Sequence, residues 1–165
     1  HEAAYNWGNA LLDAARLERD AGEGARAREL FAESFSKYEL ALCIKEDSHE
    51  AANNWGSALL SFAQLLRQAG EPQEMERVLG QAQEVLDRAE TLKPGSATYN
   101  LACLDSIRGD TDAALAKLGQ CLAGDGRLQR HAREDEDLRP LWDDPRFQAL
   151  TGERETDRRE PEARD

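Results

Sequence analysis

The residue types able to do chemistry are few in this 165-residue chain, and none falls into a catalytic pattern. The histidines are His1, His49 and His131, and the cysteines are Cys43, Cys103 and Cys121. Zinc would need ligands at CxxC or HxxxH spacing, and neither occurs. Cys103, Cys121 and His131 are remote in sequence, and small buried core thiols are the simpler reading of the cysteines. His1 and His49 each stand at the start of a helical run with no further ligand at helical spacing. The acidic run from Glu134 to Asp137 lacks the alternating oxygen ligands and central glycine of a calcium loop, so it reads as a solvated helix start. No phosphate-cradling glycine loop, GxSxG elbow or HExxH segment is present. The expectation is a protein that is not an enzyme and holds neither metal nor cofactor. Binding chemistry remains, and its candidates are the tyrosines and asparagines that recur along the chain.

Composition narrows the elements that position them. A third of the residues are charged, only five are proline, and the helix formers Ala, Leu, Glu, Gln and Arg dominate. Period-two runs of Val, Ile and Thr are missing, so the fold expected is all-α. The net charge of −12 sets the surface against phosphate backbones and excludes nucleic acid as the partner expected. No apolar run approaches the roughly 20 residues that span a bilayer, and no leader pattern is visible. Neither a membrane partner nor a membrane span is expected. An odd number of cysteines in helical patterns points to reduced thiols and a cytoplasmic setting.

The strongest pattern is a duplication. His1 to Leu17 reads HEAAYNWGNALLDAARL, and His49 to Leu65 reads HEAANNWGSALLSFAQL. Twelve of the 17 aligned positions agree, at an offset of 48 residues. A weaker copy, SATYNLACLDSIRGD, begins at Ser96 and aligns Asn100 with Asn6 and Asn54. Gly22, Gly70 and Gly109 each follow a helical run, and Pro72 stands just after Gly70. Asp47, three residues before Glu50, reads as an approximate capping pair. The units expected are therefore hairpins over 1–47, 48–94 and 95–124, with helices near 2–21, 24–46, 49–69, 72–92, 96–108 and 111–123. Gly8, Gly56 and Ala102 allow close helix approach within a hairpin. Trp7, Trp55, Leu11, Leu59, Phe31, Phe35, Leu79 and Leu86 are expected to fill the space between helices. Core packing is favoured over an aromatic ligand box for both tryptophans. Asn6, Asn54 and Asn100 are expected to bond a neighbouring helix backbone rather than a ligand.

These spacings resemble the tetratricopeptide repeat, in its bacterial type, with the first two repeats elongated. Ala102, Gly109, Ala114 and Cys121 match its small-residue positions, and Leu101 and Leu118 its large apolar ones. The first two units match once each helix gains seven residues: Gly8 to Gly22 and Gly56 to Gly70 are 14 residues apart, against 7 from Ala102 to Gly109. Seven residues are about two turns, so the apolar face stays aimed at its neighbour. The segment HAREDEDLRPLWDDPRFQALTG, from His131 to Gly152, resembles the closing segment found after the last such repeat. Capping helices over 125–152 are therefore expected, with Asp143 or Asp144 as a cap and Leu138, Leu141, Trp142, Phe147 and Leu150 covering the last repeat. Residues 153–165 read as a charged, disordered tail.

The resemblance implies a right-handed superhelix, an α-solenoid of antiparallel helix pairs, whose first helices line a concave groove. It implies a scaffold that binds a protein or peptide there. The groove positions that it transfers include Tyr5, Asn9 and Asp13 in the first unit, Glu50, Asn53 and Ser57 in the second, and Tyr99 and Ser106 in the third. None of the transferred positions is lysine or arginine, so a carboxylate clamp is not expected, and a neutral to basic partner is. Self-association into a homodimer is the alternative function.

Overall fold

The computed structural model describes residues 1–152, so the tail expected over 153–165 lies outside the described residues. Among these the chain is helical throughout, with no strand. Six helices come in three antiparallel pairs: α1 (Glu2–Asp20) with α2 (Gly24–Ile44), α3 (His49–Ala69) with α4 (Pro72–Leu92), and α5 (Thr98–Arg108) with α6 (Thr111–Cys121). α1 has 19 residues, α2 to α4 have 21 each, and α5 and α6 have 11. Two long hairpins are thus followed by a shorter one. Two short helices, α7 (Gly126–Glu134) and α8 (Pro145–Thr151), flank a 3-10 helix (Glu136–Leu141).

Local chemistry sets these boundaries. Gly70 and Gly109 end α3 and α5 at φ 72° and 84°, a left-handed conformation that glycine takes without strain. Ser48, rather than Asp47, caps α3: its hydroxyl accepts from the Ala51 amide. Asp110 caps α6, Asp125 caps α7 and Asp144 caps α8. Ala97 at the start of α5 has no capping side chain, and Glu90 of α4 serves instead. Its carboxylate accepts from the Gly95 and Ala97 amides and from the Thr98 hydroxyl. Burial alone would raise its pKa, but these bonds outweigh that and hold it below the ordinary value.

Within each long hairpin a glycine opens room for a large side chain. A methyl added at Gly8 would lie 2.9 Å from Tyr38 Cε1, and one at Gly56 would run into Leu86. Tyr38 and Leu86 are both fully buried. Between hairpins, α2 packs on α3 and α4 on α5, while first helices also touch, α1 with α3 and α3 with α5. The core runs from Ala4 through Leu59, Leu79 and Leu104 to Leu138 and Phe147. Trp55 and Phe62 are half-buried against it. Trp7 departs from expectation: 54% of it is exposed, and Lys37 Nζ lies 4.2 Å over its ring. Repeat position fixes the face on which this tryptophan stands, but among the described residues no helix covers that face of α1 as α2 covers the matching face of α3.

Candidate functional site

α1, α3 and α5 stand side by side, and their polar side chains cross-link them. Asn54 donates from Nδ2 to the Tyr5 hydroxyl and to Asn9 Oδ1, each at 3.0 Å. The Tyr38 hydroxyl donates to the same Asn9 oxygen at 2.8 Å. Asn100 Nδ2 donates to Asn53 Oδ1 at 2.8 Å. A polar rung at each junction fixes the register of one hairpin on the next, because a slipped register would leave half-buried amides unpaired. The bonds of Asn54 and Asn100 run to side chains of the neighbouring first helix rather than to its backbone, and Asn6 is exposed.

Next to this ladder lies a cleft of about 560 Å³. Its floor includes Asn53 and Ser57 of α3 and Tyr99 and Asn100 of α5. One end is basic. Arg16 donates to Ser57 Oγ at 2.9 Å and to Ser61 Oγ at 3.0 Å, and Arg19 to Gln64 Oε1 at 2.5 Å. Burial lowers the pKa of Arg16, an effect that Asp13 opposes. The other wall comes from the end of the chain: Leu128, His131 and the acidic run from Glu134 to Asp137.

That wall is latched to the helices. The Tyr99 hydroxyl donates to Asp135 Oδ2 at 2.9 Å, and the Cys103 thiol lies 3.8 Å from the same oxygen. Asp135 Oδ1 caps the 3-10 helix by accepting from the Asp137 amide. Gln64 of α3 donates to Asp137 Oδ1 at 2.5 Å. The His131 ring lies 5.5 Å from that of Tyr99. Asp137 is 9% exposed, and its pKa is pushed up to about 6, first by burial and then by Asp135; the Gln64 bond, Arg67 and Arg19 act the other way. Burial likewise raises Tyr99 and Cys103, so both keep their protons. Ligand atoms of Cys103, Asp135 and Asp137 lie within 4.8 Å of one another. These are the side chains best placed to hold a metal, but the carboxylates already accept the bonds that dock the end of the chain.

Of the residues expected to line a groove, Asn53, Ser57 and Tyr99 border this cleft. Tyr5 and Asn9 are half-buried in the ladder. Asp13 is exposed outside the cleft lining, and Glu50 sits at the start of α3 against His49. Ser106 is a correction: it is 1% exposed, inside the core. The matching residues of the other first helices, Leu12 and Leu60, are buried too, so this repeat position faces the hairpin core in all three units. Basic side chains do line this face, though none stands at a transferred position. Arg16 and Arg19 lie one and two turns beyond the positions transferred from an ordinary repeat, and a helix two turns longer carries the same face to them. Arg16 lies seven residues from Asn9 and Arg19 three further on, spacings that keep both near one helical face, and that was the signal for both. The acidic wall carried no such signal, because it arrives from 35 or more residues downstream of Tyr99.

Residues 1–111 match a family model described as the plant-specific mitochondrial import receptor subunit TOM20. Neither the curated proteins nor the solved structures gave a match. The family match corrects two expectations. The family is not the bacterial-type tetratricopeptide repeat that the WGxALL segments resemble. A cytoplasmic setting is likewise overturned, since the matched family is named for a mitochondrial receptor. Among the described residues no helix is long and apolar enough to cross a membrane.

Proposed function

The chain belongs to the family of the plant-specific mitochondrial import receptor subunit TOM20, and from that premise we propose that it recognises a polypeptide segment in the cleft between its first helices and its C-terminal wall. A receptor subunit's role is recognition rather than catalysis. The segment is neutral to basic, and apolar on one side. The observation that carries this reading is the asymmetry of the cleft. Its arginines are spent on internal bonds to Ser57, Ser61 and Gln64, whereas Glu134 and Glu136 on the opposite wall are exposed. A cation entering the cleft therefore meets the exposed Glu134, and beside it Glu136, which is shared with Arg139 at 3.4 Å, whereas an anion finds engaged guanidinium groups. The net charge of −12 steers basic segments toward the protein.

The test is fluorescence anisotropy with a labelled basic amphipathic peptide and its Lys→Glu counterpart. The basic peptide should bind, and more weakly as salt rises, because exposed charges are screened within about 8 Å at physiological ionic strength. Reversing Glu134 and Glu136 together to lysine should weaken it about tenfold, or roughly 1.4 kcal/mol. Equal binding of both peptides, or indifference to the reversal, would exclude the cleft as a site for basic segments.

A further inference from the structure

The outer side of α1 takes no part in the cleft or its latch. Ala3, Trp7, Ala10, Ala14, Leu17 and Ala21 follow one another at alternating steps of four and three. That is the spacing of a coiled-coil seam. Ala3 and Ala10 are exposed, Ala14 is half-buried, and Leu17 is 72% exposed. The second unit repeats the seam as Ala51, Trp55, Ala58, Phe62, Leu65 and Ala69. There α2 covers it. Ala51 and Ala58 are fully buried, Phe62 lies 5.4 Å from Phe31 and 5.8 Å from Phe35, and Leu65 is 6% exposed. Trp55 lies beside Leu42 and Cys43. The molecule thus shows what occupies this seam where it is covered: an antiparallel helix.

We propose that the occupant of the open seam on α1 is the same seam of a second copy, packed antiparallel about a twofold axis between Ala10 and Ala14. In that register Ala10 meets Ala14 of the second copy, Trp7 meets Leu17, and Ala3 meets Ala21. Alanines at the crossing let the helices come within about 8 Å, and the large pairs close the seam on either side. A surface that complements itself in this way is what a twofold interface requires. Charge agrees on one flank: Lys37, over the Trp7 ring, faces the position of Glu18 of the second copy, and does so twice. On the other flank Asp13 meets Asp13, which weakens the pairing. The interface continues the α2–α3 contact in kind, but it spans one 19-residue helix, so the dimer is weak and reversible.

Sedimentation velocity of the whole chain over about 5–500 µM tests this, a span set by the weakness expected of small interfaces. The expected result is a reversible monomer–dimer equilibrium in which dimerisation shields Trp7 from a fluorescence quencher. Leu17→Glu should raise the dissociation constant about tenfold or more, while Asp13→Asn should lower it several-fold. Leu17 is exposed, so circular dichroism should show the Leu17→Glu chain folded. A chain that stays monomeric throughout would overturn the proposal, as would a dimer indifferent to Leu17→Glu. A monomer that instead binds an unrelated amphipathic helix through Leu17 would overturn the second copy as occupant.

Discussion

α1 and α3 carry nearly the same sequence, and their matching residues live in different surroundings. Leu17 is 72% exposed and its counterpart Leu65 is 6% exposed; Ala10 faces solvent and Ala58 is fully buried. On the opposite side the two helices agree, with Leu12 and Leu60 both buried. The residues that face a helix of the same hairpin are buried in both units, because the hairpin brings its own partner. Those on the other side are buried only in α3, where α2 of the neighbouring hairpin lies against them. In a stacked array the sequence of a repeat sets which face is apolar, and the neighbour sets what that face contributes to stability.

The sharpest way to break this comparison is to truncate both leucines. Leu65→Ala should cost about 2–5 kcal/mol in denaturant unfolding, and Leu17→Ala within about 0.5 kcal/mol at concentrations where the chain is monomeric. Similar losses would mean that the outer face of α1 is covered in solution by something within the chain. The second unit also differs in being clasped by the C-terminal wall through Gln64 and Asp137. With its pKa at about 6, against an ordinary 3.8, Asp137 keeps in the folded chain a proton that the unfolded chain sheds. Its contribution is therefore full below about pH 4 and is lost as pH rises through about 6, by roughly 3 kcal/mol. Asp137→Asn should remove that dependence, so the variant should gain on the parent between pH 4.5 and 7.5. A constant difference across that range would contradict the buried carboxylate. The smallest effect expected is at the paired glycines. Gly56→Ala should cost about 1–3 kcal/mol, because the new methyl meets the branched end of Leu86. Gly8→Ala should cost less, since it meets the flat edge of the Tyr38 ring at 2.9 Å. The reverse order would show that the first hairpin is the tighter of the two.

Much of the fold was legible because the duplication and its glycines mark helix starts and stops directly. Gly70, Gly109 and Pro72 punctuate the chain through backbone geometry alone, which needs no knowledge of neighbours. Trp7 was misread because a motif reports orientation and not what stands opposite. The Asn ladder was half legible: recurrence flagged Asn54 and Asn100, but their side-chain partners depend on how first helices stack. Ser106 was placed outward although its counterparts Leu12 and Leu60 are apolar and buried, and Arg16 and Arg19 were passed over because the transferred positions come from shorter helices. The acidic wall could not be read at all, since only folding brings Asp135 to Tyr99 and Asp137 to Gln64.

The central claim is that the cleft side of α3 and α5, and not the outer side of α1, receives the polypeptide partner. Amide chemical-shift mapping of the chain titrated with the basic amphipathic peptide tests it most directly. The account predicts shifts concentrated at Asn53, Ser57, Asn100 and the run from Glu134 to Asp137, with Trp7 and Leu17 unmoved. Shifts centred on Trp7 and Leu17, with the acidic wall silent, would contradict it.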